Sequence, residues 1–131
     1  MPASARILHV EDDRSLQNLV RIALEQLGGH VVCTAASGSE ALRVAGDFAP
    51  QLLLLDLDLD LPGMNGIATL SALRALPGLS EVPVVFLTAA CAPAVLAELR
   101  AAGVSEVLPK PFRPRQLVQA IDRVLAGLEG R

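Results

Sequence analysis

Short hydrophobic runs alternate along this chain with longer segments in which apolar residues recur at helical spacing. The runs predict five strands, at residues 6–10, 30–35, 52–55, 82–87 and 104–108. The third run is four consecutive leucines, which is typical of a parallel strand buried on both faces. The remaining segments predict five helices, at residues 15–27, 38–46, 66–75, 93–102 and 114–128.

Capping residues mark where several of the predicted helices begin. Ser37 and Glu40 form a capping box, and Asn65 can cap the third helix. Pro93 and Pro114 suit the first turns of the last two helices. The alternation predicts an α/β domain of five βα units. Because parallel strands are joined by right-handed crossovers, we expect helices on both faces of one doubly wound, five-stranded parallel sheet.

Length and composition narrow the class of protein. A chain of 131 residues, 52% hydrophobic and with a net charge of −3, is expected to form a single domain over residues 1–131 with no output domain. Its mild acidity and lack of a Lys/Arg stripe argue against direct nucleic-acid binding. It shows no signal peptide and no apolar run of about 20 residues, so we expect a cytoplasmic protein that does not cross a membrane. Cys33 and Cys91 are expected to be reduced thiols.

Residues with the chemistry of phosphate and metal sites follow four of the predicted strands. In an open parallel sheet, ligands bind at the carboxyl ends of the strands, so these side chains are expected to converge on one pocket. The candidates are Glu11 and Asp12 after the first strand, Asp56 and Asp58 after the third, Thr88 after the fourth and Lys110 after the fifth.

This inventory suits phosphoryl transfer. A site of carboxylate oxygens is suited to Mg²⁺, and an aspartate can itself take a phosphoryl group to form an aspartyl phosphate. Such a transfer depends mainly on neutralising charge on the phosphoryl oxygens. The Lys110 ammonium is a compact point charge for that purpose, and Thr88 could donate its hydroxyl to a phosphoryl oxygen.

Five motifs resemble those of response-regulator receiver domains, and they occur in the family's order along essentially the whole chain. They are Ile-Leu-His-Val-Glu-Asp-Asp at 7–13, the strand from Pro50 to Asp56, Leu-Pro-Gly-Met-Asn-Gly at 61–66, Thr88-Ala89 and Lys110-Pro111-Phe112. The resemblance implies a flavodoxin-like sheet of strand order 2-1-3-4-5 and a domain of two-component signalling. It also implies a cis peptide bond before Pro111.

The resemblance assigns roles to the candidate residues. Glu11 and Asp12 would bind Mg²⁺ together with the aspartates of the third strand. One of these aspartates would accept the phosphoryl group from a sensor histidine kinase or a histidine phosphotransfer protein. Thr88 would move toward that group and Lys110 would contact it. The output would be a conformational change that a downstream protein target or output domain recognises. The enzymatic activity would be at most self-phosphorylation and self-dephosphorylation. A homodimer is possible.

An additional Asp-Leu pair leaves two candidates for the phosphoacceptor. Counting forward from Pro50 gives Asp56, whereas counting back from Pro62 or Thr88 gives Asp58. If Asp58 were the acceptor, Asp56 would be an unpaired carboxylate inside a buried strand, which costs several kcal/mol. We therefore predict Asp56 as the acceptor and Asp58 as the alternative, with both carboxylates in the metal site.

The sequence also allows predictions about one valine and the two histidines. Val107 stands where the family usually has Tyr or Phe, which puts signal transmission through an aromatic switch in doubt. His9 is expected to be a packed, neutral side chain of the first strand, and His30 is expected at the surface after Gly29.

Two other functions fit parts of the sequence. Residues 52–58 also resemble the nucleophile motif of haloacid dehalogenase-type phosphatases, although that family usually has a further acidic pair after the lysine and its aspartate on the first strand. A degenerate receiver that only binds proteins is the second alternative, favoured by the Asp-Leu pair and Val107.

Overall fold

A computed structural model describes residues 4–58, 65–89 and 92–129 of the chain. Within these residues, five strands form one sheet in which all neighbouring strands are parallel. The order is β2-β1-β3-β4-β5, as predicted. The strands are β1 (Arg6–Val10), β2 (Val31–Ala35), β3 (Leu52–Asp56), β4 (Val84–Thr88) and β5 (Glu106–Pro109).

Helices connect the strands and are capped largely as the sequence predicts. The helices are α1 (Arg14–Ile22), which continues as a π-helical turn over Ala23–Leu27, and then α2 (Gly38–Phe48), α3 (Gly66–Arg74), α4 (Pro93–Ala101) and α5 (Pro114–Glu129). Ser37 accepts a hydrogen bond from the Glu40 amide, and Asn65 accepts one from Ala68. These side chains satisfy backbone N–H groups that the first turn of a helix leaves unpaired.

The hydrophobic core has two layers, one on each face of the sheet. Alternate residues of the strands face α2, α3 and α4 on one side, and α1 and α5 on the other. All four leucines of β3 are completely buried, as the continuous apolar run predicts. Full burial of one leucine side chain contributes about 1.5–3 kcal/mol, so β3 anchors both layers.

Some boundaries differ from the predicted ones. Gly46 was expected to end α2, but the helix continues to Phe48 and ends because Ala49 has left-handed backbone angles, with φ of 52°. The Arg6 side chain donates a hydrogen bond to the Ala49 carbonyl, which holds this turn against the first strand. β4 and β5 each begin two residues later than predicted, at Val84 and Glu106.

The surface position predicted for His30 is wrong. His30 is buried because it joins three distant segments: its Nδ1 accepts a hydrogen bond from the Ala5 amide at 3.1 Å, and its Nε2 lies 3.1 Å from Asp122 Oδ1 of α5. A ring that accepts at Nδ1 carries its proton at Nε2, so it can donate to Asp122.

His9 is a packed, neutral histidine, as predicted. It is completely buried in β1, and burial together with the charges of Lys110 and Arg21 lowers the pKa of its ring to about 3. Two further predictions lie wholly or largely outside the described residues: the receiver-like motif at 61–66 and the state of Cys91. In the part of the chain that the structure describes, no helix is long and apolar enough to span a membrane.

Candidate functional site

The register of the parallel sheet brings the predicted residues to one edge. Val10 pairs with Leu55, so the residues that follow β1 lie beside the end of β3. Asp56 pairs with Leu87, and Thr88 pairs with Pro109, which directly precedes Lys110. The carboxyl ends of β1, β3, β4 and β5 therefore bound a single site.

Three carboxylates form its acidic part. One carboxylate oxygen from each of Glu11, Asp12 and Asp56 lies within 4.8 Å of the other two. Glu11 and Asp56 are only 1% and 2% exposed, whereas Asp12 is exposed to solvent. These three residues could hold a hard divalent cation, because such ions prefer carboxylate oxygens and retain water on their open sides.

Glu11 is a buried carboxyl group with a strongly shifted pKa. Burial, together with the neighbouring Asp56 carboxylate, raises its pKa to about 8. Glu11 Oε1 is buried and has no hydrogen-bond partner among the described residues. A buried oxygen beside two further carboxylates is the kind of atom that a bound cation would satisfy.

Lys110 supplies positive charge to the same place and is the only lysine of the chain. Its Nζ donates a hydrogen bond to Asp56 Oδ1 at 3.0 Å, and it lies 3.8 Å from Glu11 Oε1. Burial alone would lower the pKa of Lys110, but the hydrogen bond and charge of Asp56 and the charges of Glu11 and Asp58 raise it. The Lys110–Pro111 peptide bond is cis, as the resemblance implied.

Asp58 makes different contacts from the three clustered carboxylates. Its backbone N–H donates to Asp56 Oδ1 at 2.9 Å, while its carboxylate is directed to the end of β4. There Asp58 Oδ1 accepts from the Thr88 hydroxyl at 3.3 Å, and Oδ2 accepts from the Ala89 amide at 2.8 Å. Asp58 does not belong to the cluster of three carboxylates among the described residues.

Two residues that support Glu11 were not identified from the sequence. Asp13 is the N-cap of α1, and its own amide donates to Glu11 Oε2 at 3.2 Å. Gln17 donates a side-chain hydrogen bond to the Glu11 carbonyl. The position of Asp13, just before a helical pattern, was a usable signal for the cap.

Gly66 allows the start of α3 to approach the end of β3. A Cβ atom at this position would lie 2.7 Å from the Asp56 carbonyl oxygen and 2.8 Å from the Leu57 Cα. No side chain fits such a gap without a backbone shift. Gly66 therefore helps to fix the backbone that carries Asp56.

These observations define the class: a doubly wound α/β domain whose acidic, lysine-containing site lies at the carboxyl edge of a parallel sheet. The family model described as "Response regulator receiver domain" matches residues 7–122. The chain belongs to the response regulator receiver domain family.

Curated relatives of this chain include longer regulators. MtrA of Mycolicibacterium smegmatis, a DNA-binding response regulator, is 39% identical over 116 residues, which are 88% of this chain and 48% of that protein. The transcriptional regulatory protein CpxR of Escherichia coli K12 is 38% identical over 120 residues, which are 92% of this chain and 49% of that protein. The chain thus spans about half the length of the curated relatives it matches.

Solved structures show the same fold at nearly full coverage. The chemotaxis protein CheY4 of Vibrio cholerae superimposes with a TM-score of 0.84 at 33% identity, over 93% of this chain and 99% of that one. The receiver domain of the sensor histidine kinase PA1611 of Pseudomonas aeruginosa, solved with a magnesium ion in its active site cleft, gives 0.80 at 29% identity, over 95% and 99%. The phosphorelay receiver is the function that these relatives indicate, and neither the phosphatase nor the degenerate receiver is favoured.

Proposed function

We propose that this domain accepts a phosphoryl group on Asp56 in a Mg²⁺-dependent reaction. The observation that carries the proposal is the 3.0 Å hydrogen bond between Lys110 Nζ and Asp56 Oδ1, made at the buried end of β3 beside Glu11 and Asp12. The ammonium holds the Asp56 carboxylate in one orientation, and an aspartate carboxylate can act as the nucleophile toward phosphorus.

The same cluster suits the metal. Glu11, Asp12 and Asp56 would hold Mg²⁺, which when bound neutralises charge on the phosphoryl oxygens. Two carboxylates about 4 Å apart repel by roughly 4 kcal/mol at an effective dielectric near 20, which a dication relieves. Glu11 Oε1 is buried and accepts no hydrogen bond within the described parts of the chain, which favours this assignment over a solvated acid patch.

The transfer step needs few protein groups. An Asp56 carboxylate oxygen attacks phosphorus, a P–O bond forms, and the bond from phosphorus to the donor breaks. With a phosphohistidine donor the imidazole nitrogen leaves and takes up a proton from water. Lys110 stabilises the negative charge on the transferred group, and Thr88 is placed to donate its hydroxyl to one of its oxygens.

A histidine kinase or a histidine phosphotransfer protein is the proposed donor, and a downstream protein or output domain is the proposed receiver of the signal. The curated relative MtrA is named as a DNA-binding response regulator and CpxR as a transcriptional regulatory protein, and this chain aligns with about half of each. The phosphoryl group can shift the conformational equilibrium only by its differential interaction with the two states.

Incubation with acetyl phosphate tests the proposal without knowledge of the natural donor. Intact-protein mass spectrometry should show one added phosphoryl group in the presence of Mg²⁺ and none when Mg²⁺ is removed by a chelator. Asp56→Asn should abolish the adduct. Asp47→Asn, which removes an equal charge from an exposed position on α2, should leave it unchanged. An adduct that forms equally well without a divalent cation would contradict the metal assignment.

A further inference from the structure

The carboxylate of Asp58 lies among three hydrogen-bond donors of different kinds. The Thr88 hydroxyl donates to Oδ1 at 3.3 Å, the Ala89 amide donates to Oδ2 at 2.8 Å, and Lys110 Nζ lies 4.0 Å from Oδ2. Hydroxyl, backbone amide and ammonium together form a donor set for an anion with several oxygens. The anion that these donors surround is a side chain of the protein itself.

A phosphoryl group on Asp56 would need the same donors. Asp56 already shares Lys110 with Asp58, and the Asp58 amide donates to Asp56 Oδ1, so the two carboxylates are adjacent. The Thr88 hydroxyl and the Ala89 amide each have a single hydrogen to donate. Each can therefore donate a full hydrogen bond either to the Asp58 carboxylate or to a phosphoryl oxygen, but not to both at once.

Charge adds to this competition. A phosphoryl group adds negative charge to a site that already contains the carboxylates of Asp12, Asp56 and Asp58 and the single ammonium of Lys110. Like charges within a few ångströms repel, and the Asp58 carboxylate can relieve the repulsion because its side chain is 37% exposed. The Asp56 side chain, at 3% exposure, has no comparable access to solvent.

We propose that Asp58 is a positioning residue that acts as an internal competitor of the phosphoryl group. In the unphosphorylated domain its carboxylate holds Thr88 and Ala89, and phosphorylation displaces it toward solvent. The inference rests on the proposed role of Asp56 as the acceptor. Its consequence is that removing the Asp58 carboxylate strengthens binding of a phosphoryl mimic, whereas removal of a merely structural contact would weaken binding or leave it unchanged.

A titration with beryllofluoride and Mg²⁺, followed through the backbone amide signals, tests this competition. Asp58→Ala should lower the apparent dissociation constant by about tenfold relative to the wild-type domain. Asp58→Asn, which keeps an acceptor oxygen but loses the charge, should give an intermediate value. Asp47→Ala, an exposed acid of α2, is the matched control and should behave as wild type.

The Ala89 amide supplies a second readout in the absence of any ligand. Its proton signal should move upfield in Asp58→Ala because a charged acceptor has been lost, and thermal unfolding should confirm that the variant is folded. Tighter mimic binding together with this shift would support the competition. Equal or weaker binding by Asp58→Ala, while wild type still forms an adduct on Asp56, would overturn the inference and leave the proposed function intact. Failure of every variant to bind beryllofluoride or to form that adduct would overturn both.

Discussion

Two sets of buried polar side chains lie close together on the central strands, and their surroundings differ. His9, within β1, is completely buried, and neither ring nitrogen has a hydrogen-bond partner among the described residues. Glu11 and Asp56 are nearly as deeply buried at the strand ends, yet Lys110 lies within 4 Å of both. Inside the sheet a buried polar group is held by packing alone, whereas at the carboxyl edge side chains from several strands meet. Position along the strand, rather than burial, distinguishes a reactive site from a packed residue.

The largest expected effect on the site at the carboxyl edge is that of removing the Lys110 ammonium. Lys110→Met leaves Glu11 and Asp56 as buried acids without their cation, so the rate of phosphorylation by acetyl phosphate should fall by about 100-fold or more. Mass spectrometry of samples quenched at successive times would give the rate of phosphorylation. Arg100→Met removes the same charge from an exposed position on α4 and should have little effect. A Lys110→Met rate equal to wild type would mean that the ammonium takes no part.

His9 should make the domain sensitive to acid. Its pKa is about 3 in the folded protein and near 6.5 in the unfolded chain, so between these values only the unfolded state takes up the proton and stability falls as the pH falls. At pH 5 the loss is about 2 kcal/mol. Glu11 contributes in the opposite direction over the same pH range, so the comparison is made in a Glu11→Gln background. In that background His9→Leu should remove the loss, as measured by urea unfolding at pH 7 and pH 5. His9→Asn is polar but has no titrating ring, so it separates the effect of titration from that of packing. If both variants lost as much unfolding free energy between pH 7 and pH 5 as the protein with His9, His9 would be excluded as the source of the loss.

Magnesium binding should be coupled to proton release from Glu11. Because the pKa of this carboxyl is about 8 in the metal-free protein, it is largely protonated at neutral pH and must ionise to bind the metal. Below pH 8 the affinity for Mg²⁺ should therefore fall by up to about tenfold for each pH unit. Without metal, the folded state binds the extra proton and loses stability as the pH rises from about 4.5 toward about 8.

Calorimetric titration in buffers of different ionisation enthalpy counts the protons released. Glu11→Gln should abolish the release, and Glu98→Gln, an exposed position on α4, should preserve it. Proton release by Glu11→Gln equal to that of wild type would assign the titration to another group.

Asp13 should give the smallest effect, because it lies at the site's edge but acts as a helix cap. Asp13→Ala should lower the unfolding free energy by about 1 kcal/mol, whereas Asp13→Asn retains a good capping group and should not. Phosphorylation rates of Asp13→Asn and wild type should match. A large loss of phosphorylation in Asp13→Asn would place its charge within the reactive site.

The architecture could be predicted because it depends on local patterns. Apolar runs, caps at Ser37 and Asn65, and prolines at the helix starts fixed the element order, and parallel strands leave few ways to connect them. The meeting of Glu11, Asp56 and Lys110 at one edge followed from the same geometry. The resemblance to receiver domains supplied the strand order.

The errors concern contacts between residues distant in sequence. His30 looked exposed because nothing near it in the chain indicates Ala5 and Asp122 as its partners. Gly46 looked like a helix end, since glycine is common there, but Ala49 adopts the left-handed conformation instead. The hydrogen bonds of Asp58 to Thr88 and Ala89 depend on the exact path of the chain after β3, which no sequence pattern specifies.

The identity of the phosphorylated residue tests the central claim most directly. Wild-type protein treated with Mg²⁺ and acetyl phosphate would be fragmented rapidly at low pH. Tandem mass spectrometry would then show whether the phosphoryl group is on Asp56 or on Asp58. Because Lys110 holds the buried carboxylate of Asp56, we expect the phosphoryl group on Asp56. The adduct should be lost in Asp56→Asn and retained in Asp58→Asn. A phosphoryl group on Asp58, retained when Asp56 is replaced by asparagine, would contradict the assignment.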